Sequence, residues 1–559
     1  MKSYSFIFLL FIMCPAIQAD AQVANWQWAK SGHGASHDQG NSIAIDASGN
    51  SYVAGYFCSL SITFGSTTLI NSGNTGNFGD VFLVKYDPSG NVLWARSAGG
   101  SYNDEAMGLA IDASGNIYIT GHFINQTITF GAFTLTNSGA IDLFIAKYDS
   151  NGNVLWAKSA AGATFDYAYS AAIDASGNCL ITGYFDSPSI TFGSFTLNQA
   201  GGGDLFLAKY DPSGNVLWAK SAGGSYRDVA NSVCTDASGN SYITGDFQSA
   251  TITFSSGTLN NTTNSGTYSD ALTVKYDSSG NVLWAKSMGG VLNDYGNSIS
   301  VDAMGNSYIA GDFQSGTIVF GTSTLTNMGS SDLFLAKYDG TGNTVWAKSS
   351  GGIYSDAANS VCTDASGNSF VTGSFASPAI TFGSITLSNP FSTSACIFVT
   401  RYDAFGNSLW AKTEVKFTLD GDAGNAVSQD ASGNMYVTGY YKSSHIIIGS
   451  DTLINTNSFK RGEVFIASLS ILEGMNSLDS SDNSISVFPN PSSGTFSVSN
   501  KFTSEFDIEI FNSLGQAVFY RKNVNESRFE IDLLDQADGI YFVRIISKGE
   551  VYTGKIVKE

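Results

Sequence analysis

Charge is scarce in this chain, and what there is has one dominant sign. Charged residues make up 13% of the 559 positions, with 27 Lys and Arg against 47 Asp and Glu, for a formal net charge of −20. That is about half the usual charged share. So few cations exclude a nucleic-acid partner, because phosphate binding needs basic patches. Solubility alone accounts for the acidity, so it requires no cationic partner. Histidine is rarer still: His33, His37, His122 and His445 share no metal-ligand spacing. Past the N-terminus the cysteines are Cys58, Cys179, Cys234, Cys362 and Cys396, an odd number without zinc or redox spacing. They read as buried thiols. There is no Gly-x-Ser-x-Gly nucleophile motif, no convincing helical periodicity and no apolar run long enough to span a bilayer. What abounds instead is Gly, Ser, Thr and Asn, the neutral polar surface of extracellular β-rich proteins.

The first residues read as a signal peptide, 1–21. Lys2 gives a positive start, Phe6 to Met13 forms a short apolar core, and small residues follow in "PAIQADAQ". Cleavage is expected after Ala19 or Ala21. A lipid-modified start at Cys14 is disfavoured by the bulky Met13 before it.

From there to about residue 470 the sequence repeats. "DASGN" begins at Asp46, Asp112, Asp174, Asp236, Asp302 (as "DAMGN"), Asp364 and Asp430, always 62 or 66 residues apart. A Trp followed by Ala and Lys or Arg recurs in step, at Trp28, Trp94, Trp156, Trp218, Trp284, Trp346 and Trp410. Alternating apolar runs flank each Asp-x-x-Gly-Asn, which is a hairpin signature. One copy therefore supplies two hairpins, or four strands, here called a to d. An "ITFG-x-x-TL" insertion lies between them. Seven such units predict a seven-bladed β-propeller over 22–470, with small-residue strand a at the centre and the Trp of strand d in the outer gap. The ends are complementary. The chain opens on a lone strand d, "NWQWAKS", and its last copy stops after strand c, "EVFIASLS". Pairing them closes the ring, and a monomeric propeller is expected.

Two sets of repeated carboxylates are candidates for chemistry. Asp38, Asp104, Asp166, Asp228, Asp294, Asp356 and Asp422 each precede a landmark Asp by eight residues, forming a ring where strand d passes to strand a. Such a ring suits Ca²⁺. It also suits acceptance of amide hydrogens at the start of strand a, worth roughly 1.5–3 kcal/mol per charge-assisted bond. Repulsion between neighbours across a watery channel is only about 0.5 kcal/mol. The structural role is therefore preferred, with no cofactor. The second set, Asp80, Asp142, Asp204, Asp270, Asp332 and Glu463, is expected to pair diagonally with the Lys or Arg of "WAK", as Asp204 with Lys220. The sixth copy has Cys396 there. The clearest breaks in the repeat, 388–396, 413–422 and 455–463, assemble no recognisable site. The expected ligand face is the one carrying the b–c and d–a connections, where the copies differ and where Tyr102, Phe165, Tyr226 and Tyr354 recur.

The copies resemble the seven-bladed β-propeller (SBBP) repeat, carried by "DASGNSYITG" (236–245) and "KYDPSGNVLWAKSAGG" (209–224). That family implies shape and no common activity. A polar linker, 471–484, leads to a β-rich segment, 485–559, whose alternating runs read as a small immunoglobulin-like sandwich. Pro489, Asn490, Pro491, Gly494, Gly515, Gly539, Tyr541 and Lys555, within "FPNPSSG", "NSLGQAV", "GIYFVRI" and "GKIVKE", resemble the C-terminal sorting domain of type IX secretion. The resemblance implies a Bacteroidetes-type bacterium, export across both membranes, and the secretion machinery as partner. The whole reads as a secreted or cell-surface, non-catalytic propeller that binds a glycan or protein or serves as scaffold. The rival is a secreted polysaccharide-active enzyme with an unrecognised carboxylate site.

Overall fold

Each Asp-x-x-Gly-Asn segment is a turn wired by its own side chains. In the c–d turn of the third copy, Asp211 Oδ1 accepts the amides of Ser213 and Asn215 at 2.9 and 2.8 Å, and Asn215 Nδ2 donates to Asp211 Oδ2 at 2.8 Å. Gly214 takes a φ of +83°, where a side chain would be strained. The same wiring recurs in the a–b turns, as at Asp236. Each turn is thus held by bonds among its own residues.

In the computed structural model, residues 23–472 are described except 74–75, 265 and 458–459; beyond them, 485–488, 492, 494–500, 505–512, 517–537, 539–547 and 550–558 are described. The chain divides into two compact units, and one of them spans 24–471. Within it lie seven four-stranded antiparallel sheets. Blades 1 to 7 begin with inner strands Asp38–Ile45, Asp104–Ile111, Asp166–Ile173, Asp228–Thr235, Asp294–Val301, Asp356–Thr363 and Ala423–Gln429. Each inner strand packs on the next, and that of blade 7 packs on that of blade 1. Blade 7 takes strands b and c from Met435–Tyr441 and Glu463–Leu472, and its outer strand from Val23–Ser31 at the other end of the chain. Strand c runs two residues past the expected boundary.

The core lies between blades. Leu180, Leu205 and Leu207 of blade 3 pack against Val233, Ile243, Phe247 and Leu272 of blade 4. Full burial of such side chains contributes about 1.5–3 kcal/mol each. The tryptophans occupy the outer gaps as expected, and six of the seven reach further than expected. Trp156 Nε1 donates to the Pro212 carbonyl in the c–d turn of the next blade at 3.1 Å, and five others make the equivalent bond. The turn glycine lies flat on the indole: a Cβ on Gly214 would come within 3.0 Å of the Trp156 ring.

The insertion is more structured than its sequence signalled. Thr251–Phe254 and Gly257–Asn260 form a third hairpin, with Ile252 and Phe254 turned inward. It wedges between its own outer strand and that of the preceding blade.

The second unit carries two sheets around one core. Ile485–Phe488, Thr495–Asn500 and Arg528–Asp532 form one. Phe506–Asn512, Ala517–Val524, Gly539–Ser547 and Glu550–Lys558 form the other. Phe496, Ile531, Ile508, Val543 and Ile556 fill the space between them, giving a small β-sandwich.

Candidate functional site

The ring aspartates open or immediately precede the inner strands, and all seven are fully buried. They therefore do not line a watery channel. Their donors also differ from those expected. Ser249, at the corner after strand b, donates its hydroxyl to Asp228 Oδ2 at 2.7 Å and its amide to Oδ1 at 3.1 Å. Gly224, in the d–a connection, donates its amide to Oδ2 at 2.8 Å. The same Ser249 hydroxyl accepts the Tyr226 amide at 3.0 Å. Each ring aspartate thus ties the d–a connection to the corner of its own blade. Burial pushes these carboxyls up against the hydrogen bonds: to about 7 at Asp38, Asp228 and Asp294, about 8 at Asp104, about 6 at Asp166, and upward at Asp356 and Asp422. Among the described residues, no three His, Cys, Asp or Glu side chains gather as a metal-ligand set.

The second set does not pair with the "WAK" cation. Asp204 Oδ2 accepts the Ala200 amide at 2.7 Å inside the b–c connection, and Asp204 is buried against Gly223. The Lys220 stem lies instead over Gly280 of the next blade. The ion pair that does recur joins the Lys of "KYD" to the landmark Asp, as Lys209 with Asp174 at 2.7 Å. Blade 6 shows how firmly the buried carboxylate is required. Where Cys396 replaces the Asp, Glu414 swings in and accepts the Ile397 amide at 3.0 Å. Beside it Lys416 donates to the carbonyls of Ser394 and Ala395 at 2.9 and 2.8 Å. The breaks at 388–396 and 413–422 are therefore one compensated change. The third, 455–463, ties Asn457 and Arg461 to Ser36 across the closure.

Of the aromatic residues on the d–a connections, Tyr102, Phe165 and Tyr226 are 52, 44 and 44% exposed, and Tyr354 is half-buried. Tyr102 sits edge-on to Phe78 with ring centres 5.1 Å apart, and Tyr226 is backed by Gly266. They form a rim of separate rings.

A second array on the same face escaped the sequence reading. Every inner strand has a β-bulge three residues past its ring aspartate, at Asn41, Met107, Tyr169, Asn231, Asn297, Asn359 and Asn425. The bulge explains the Gly of "YITG". A Cβ on Gly121 would lie 1.9 Å from the Glu105 carbonyl. Such bulges re-aim side chains. In five blades the bulged Asn donates to a carbonyl of the next inner strand, as Asn231 to Gly296 at 3.1 Å. Blades 2 and 3 give that bond up for Met107 and Tyr169. Beside each bulge, the residue after the ring aspartate faces one on strand b, and these pairs change in every blade. They run Gln39 and Tyr56, Glu105 and His122, Tyr167 and Tyr184, then Val229 and Asp246. Tyr295 and Asp312, Ala357 and Ser374, and Ala423 and Tyr440 complete the circle.

Blades 2 to 4 join these residues into a ladder. Arg227 lies 4.7 Å over the Tyr184 ring, Tyr184 stacks on Tyr167 at 5.1 Å, and Tyr167 meets His122 edge-on at 4.8 Å. His122 Nε2 is 4.0 Å from Glu105. Burial pushes the Glu105 carboxyl up to about 7 and the His122 imidazole down to about 4. Aligning the seven copies by column reveals this array, whereas scanning for irregular segments passes over it.

Residues 32–56 match the β-propeller repeat, and residues 486–559 match the secretion system C-terminal sorting domain. The chain therefore carries a β-propeller repeat and a C-terminal sorting domain of type IX secretion. The uncharacterized WD repeat-containing protein L264 of Acanthamoeba polyphaga mimivirus is 23% identical over 481 residues, covering 71% of this chain and 34% of that protein. Regulatory protein FlaEY of Caulobacter vibrioides is 27% identical over 166 residues, 28% of this chain and 17% of that protein. This chain spans about a third or less of the length of these curated relatives. Among solved structures, the Pan2 WD40 domain of Neurospora crassa aligns with 80% of this chain and 96% of its own, at 8% identity and a TM-score of 0.36.

In the sorting domain, Gly494 adopts a φ of +124° and its carbonyl accepts the Leu533 amide at 2.8 Å. Gly539 opens a strand in which Tyr541 is buried and donates its hydroxyl to the Ala537 carbonyl. Lys555 lies on the last strand. Pro489, Asn490, Pro491 and Gly515, like Ala19 and Ala21 of the signal peptide, fall outside the described residues. In the β-propeller repeat unit, grooves lie on the outer wall, and three of them share one lining: Lys158, Gly193, Tyr210 and Asn215 in one, Lys286, Gly321, Tyr338 and Asn343 in the next. They are by-products of the repeat. A larger one, lined by Lys30, His33, Tyr86 and Thr452, marks the closure seam.

Proposed function

We propose that this secreted propeller is a non-catalytic binding protein whose ligand, a glycan or a protein, seats on the face of the b–c and d–a connections. One observation carries the reading. Side-chain variation between copies concentrates at that face, in the rim and in the pairs beside the bulges, while the opposite face repeats the same turn. Loops and site residues on a rigid repeated frame are where recognition concentrates. The sorting domain directs the protein to secretion or the outer surface, so the ligand is extracellular. Export across the inner membrane by residues 1–21 belongs to the same proposal.

The rival enzyme reading rests on Glu105, whose raised carboxyl falls in the range of a general acid. Glycoside hydrolysis also needs a partner carboxylate across the scissile bond. An array of glycans and extracellular proteins, probed with the mature protein and followed by product analysis of each hit, tests both. Binding without turnover, weakened by Tyr102→Ala, Tyr226→Ala and Tyr354→Ala together or by changes beside the bulges of blades 2 to 5, is the expected result. Product formation lost in Glu105→Gln would replace binding with catalysis.

A further inference from the structure

The pairs beside the bulges form a lopsided circle. Blade 6 contributes only Ala357 and Ser374, whereas every other blade contributes at least one large aromatic or ionisable side chain, and blades 2 to 4 join theirs into the ladder. Two of those blades have also given up an inter-blade Asn bond that the other five keep. A scaffold bond abandoned at neighbouring positions, and replaced by an ordered ladder, marks a place selected for something other than holding blades together.

Resting on the binding reading above, we infer that this crescent, and not the exposed rim, holds the ligand, and that the ligand is a neutral oligosaccharide. The ladder is ordered in advance. Arg227, Tyr184, Tyr167 and His122 each pack on the next, so little side-chain freedom remains to be lost on binding. Because these ring faces cover one another, the crescent presents hydroxyl edges and a guanidinium as donors. Acceptors lie in the same arc. Asp246 is 3% exposed; Asn231 donates to its Oδ1 at 3.4 Å, and Ser269 and the Arg227 charge also hold its carboxylate. His122 Nδ1 is buried without a partner among the described residues. Buried polar atoms left unpaired call for a group to complete them.

The mixture selects the ligand class. An anionic sugar would set its carboxylate against Glu105, Asp246 and Asp312 on a chain of net charge −20. A cationic sugar would meet Arg227, which already occupies the Tyr184 face. Neutral vicinal hydroxyls donate to the carboxylates and accept from Arg227 and the tyrosines at once.

The test is calorimetric titration of the mature protein with neutral cello-, xylo- and manno-hexaose, with oligogalacturonate, and with chitosan oligomers. A neutral probe is expected to bind. Affinity should fall by about ten-fold or more in Tyr184→Phe/Arg227→Met, because Tyr and Arg dominate such contacts. Asp312→Asn, a smaller change that keeps an oxygen to accept from Asn297, should weaken it less, and Ser374→Ala on the opposite side should leave it unchanged. Binding of only the charged probes, or of none, overturns the ligand class. Binding lost in the triple change of Tyr102, Tyr226 and Tyr354 to Ala, yet intact in both crescent variants, moves the ligand to the rim. That result overturns this inference and leaves the binding reading standing. Failure of every glycan and protein on the array removes both.

Discussion

At one end of blade 2, Lys147 lies 4.8 Å over Tyr118 and pairs with Asp112 at 3.6 Å, and blade 1 does the same with Lys85, Tyr52 and Asp46. At the other end of the same sheets, Gln39 and Tyr56 become Glu105 and His122. The two ends differ in what they face. Lys147 Nζ and Trp156 Nε1 both donate to the Pro212 carbonyl in the turn of blade 3, so a change there must be matched next door. Glu105 and His122 lie where blade 2 meets only the Tyr167 side chain of blade 3, which itself differs from its counterparts. Sequence is held where each blade is moulded on its neighbour's repeated backbone, and released where side chain meets side chain.

The largest test of that frame is to break the ring. A chain beginning at Gly34 lacks the outer strand of blade 7, and with it the bonds from Ala29 N–H to Asp451 at 2.7 Å, Gly32 N–H to the Val464 carbonyl at 3.0 Å and Trp28 to Pro88 at 3.0 Å. It also strips cover from Phe465 and Leu469 and bares an unpaired strand edge. Against one beginning at Gln22, it should lose about 5 kcal/mol or more, most of a domain's usual stability, and should self-associate. Equal melting temperature and a monomeric elution profile for both would show that closure contributes nothing.

Next in size is pH, which acts on the mould end and the ring aspartates unequally. Burial holds five of the ring carboxyls near 6 to 8 in the folded chain against an ordinary 3.8, and Asp356 and Asp422 are raised as well. Between about pH 4 and 8 the folded state therefore holds protons that the unfolded state has released. Stability must fall as pH rises through that window, by about 1.4 kcal/mol at most per carboxyl for each step of one in pH. The melting temperature should be several degrees higher at pH 5 than at pH 8. Asp228→Asn, which cannot ionise and still accepts from Ser249, should narrow the gap. A flat profile would mean that these carboxyls are ionised in the fold.

Two glycines sharpen the comparison within one blade. Gly177 and Gly214 both have a φ near +80°, at +79° and +83°, so Ala is strained at either. A Cβ at Gly177 meets only Pro212 at an ordinary 3.7 Å, whereas at Gly214 it meets the Trp156 ring at 3.0 Å. Gly214→Ala should be the costlier by about 1–3 kcal/mol, the usual range for overpacking. Equal loss in denaturant melts would show that the indole yields freely.

How much of this was legible beforehand follows from the same physics. Turn, strand and closure could be read because they rest on local chemistry repeated seven times: Asp and Gly in the turns, Trp in step, and a spare strand d at one end where the other end lacks one. The Asp204 to Lys220 pairing could not, because register across one hairpin ignores the next blade, and Lys220 spends its length there. Burial of the ring aspartates was missed for a related reason. Position along strand a is visible in sequence, but the Ser249 corner that covers Asp228 lies 21 residues on. The crescent was hidden by the bulge, which turns Tyr169 out of the strand's alternation and leaves Tyr167 and Tyr184 looking like ordinary strand residues.

The smallest expected effect isolates a single hydrogen bond. Blade 7 draws strands c and d from opposite ends of the chain, so it has no c–d turn to offer Trp410. Its indole N–H has no acceptor among the described residues, while Trp156 keeps its bond to Pro212 at 3.1 Å. Both rings are buried, at 5 and 8% exposure. Trp410→Phe and Trp156→Phe therefore remove similar ring area, and only the second also removes a hydrogen bond, leaving Lys147 as the remaining donor to the Pro212 carbonyl. Trp156→Phe should be the more destabilising by about 0.5–1.5 kcal/mol, the net value of one such bond. A larger loss at Trp410 would mean that the seam opposite the closing strand supplies an acceptor of its own, and that the six shared turns are not what holds the indoles in place.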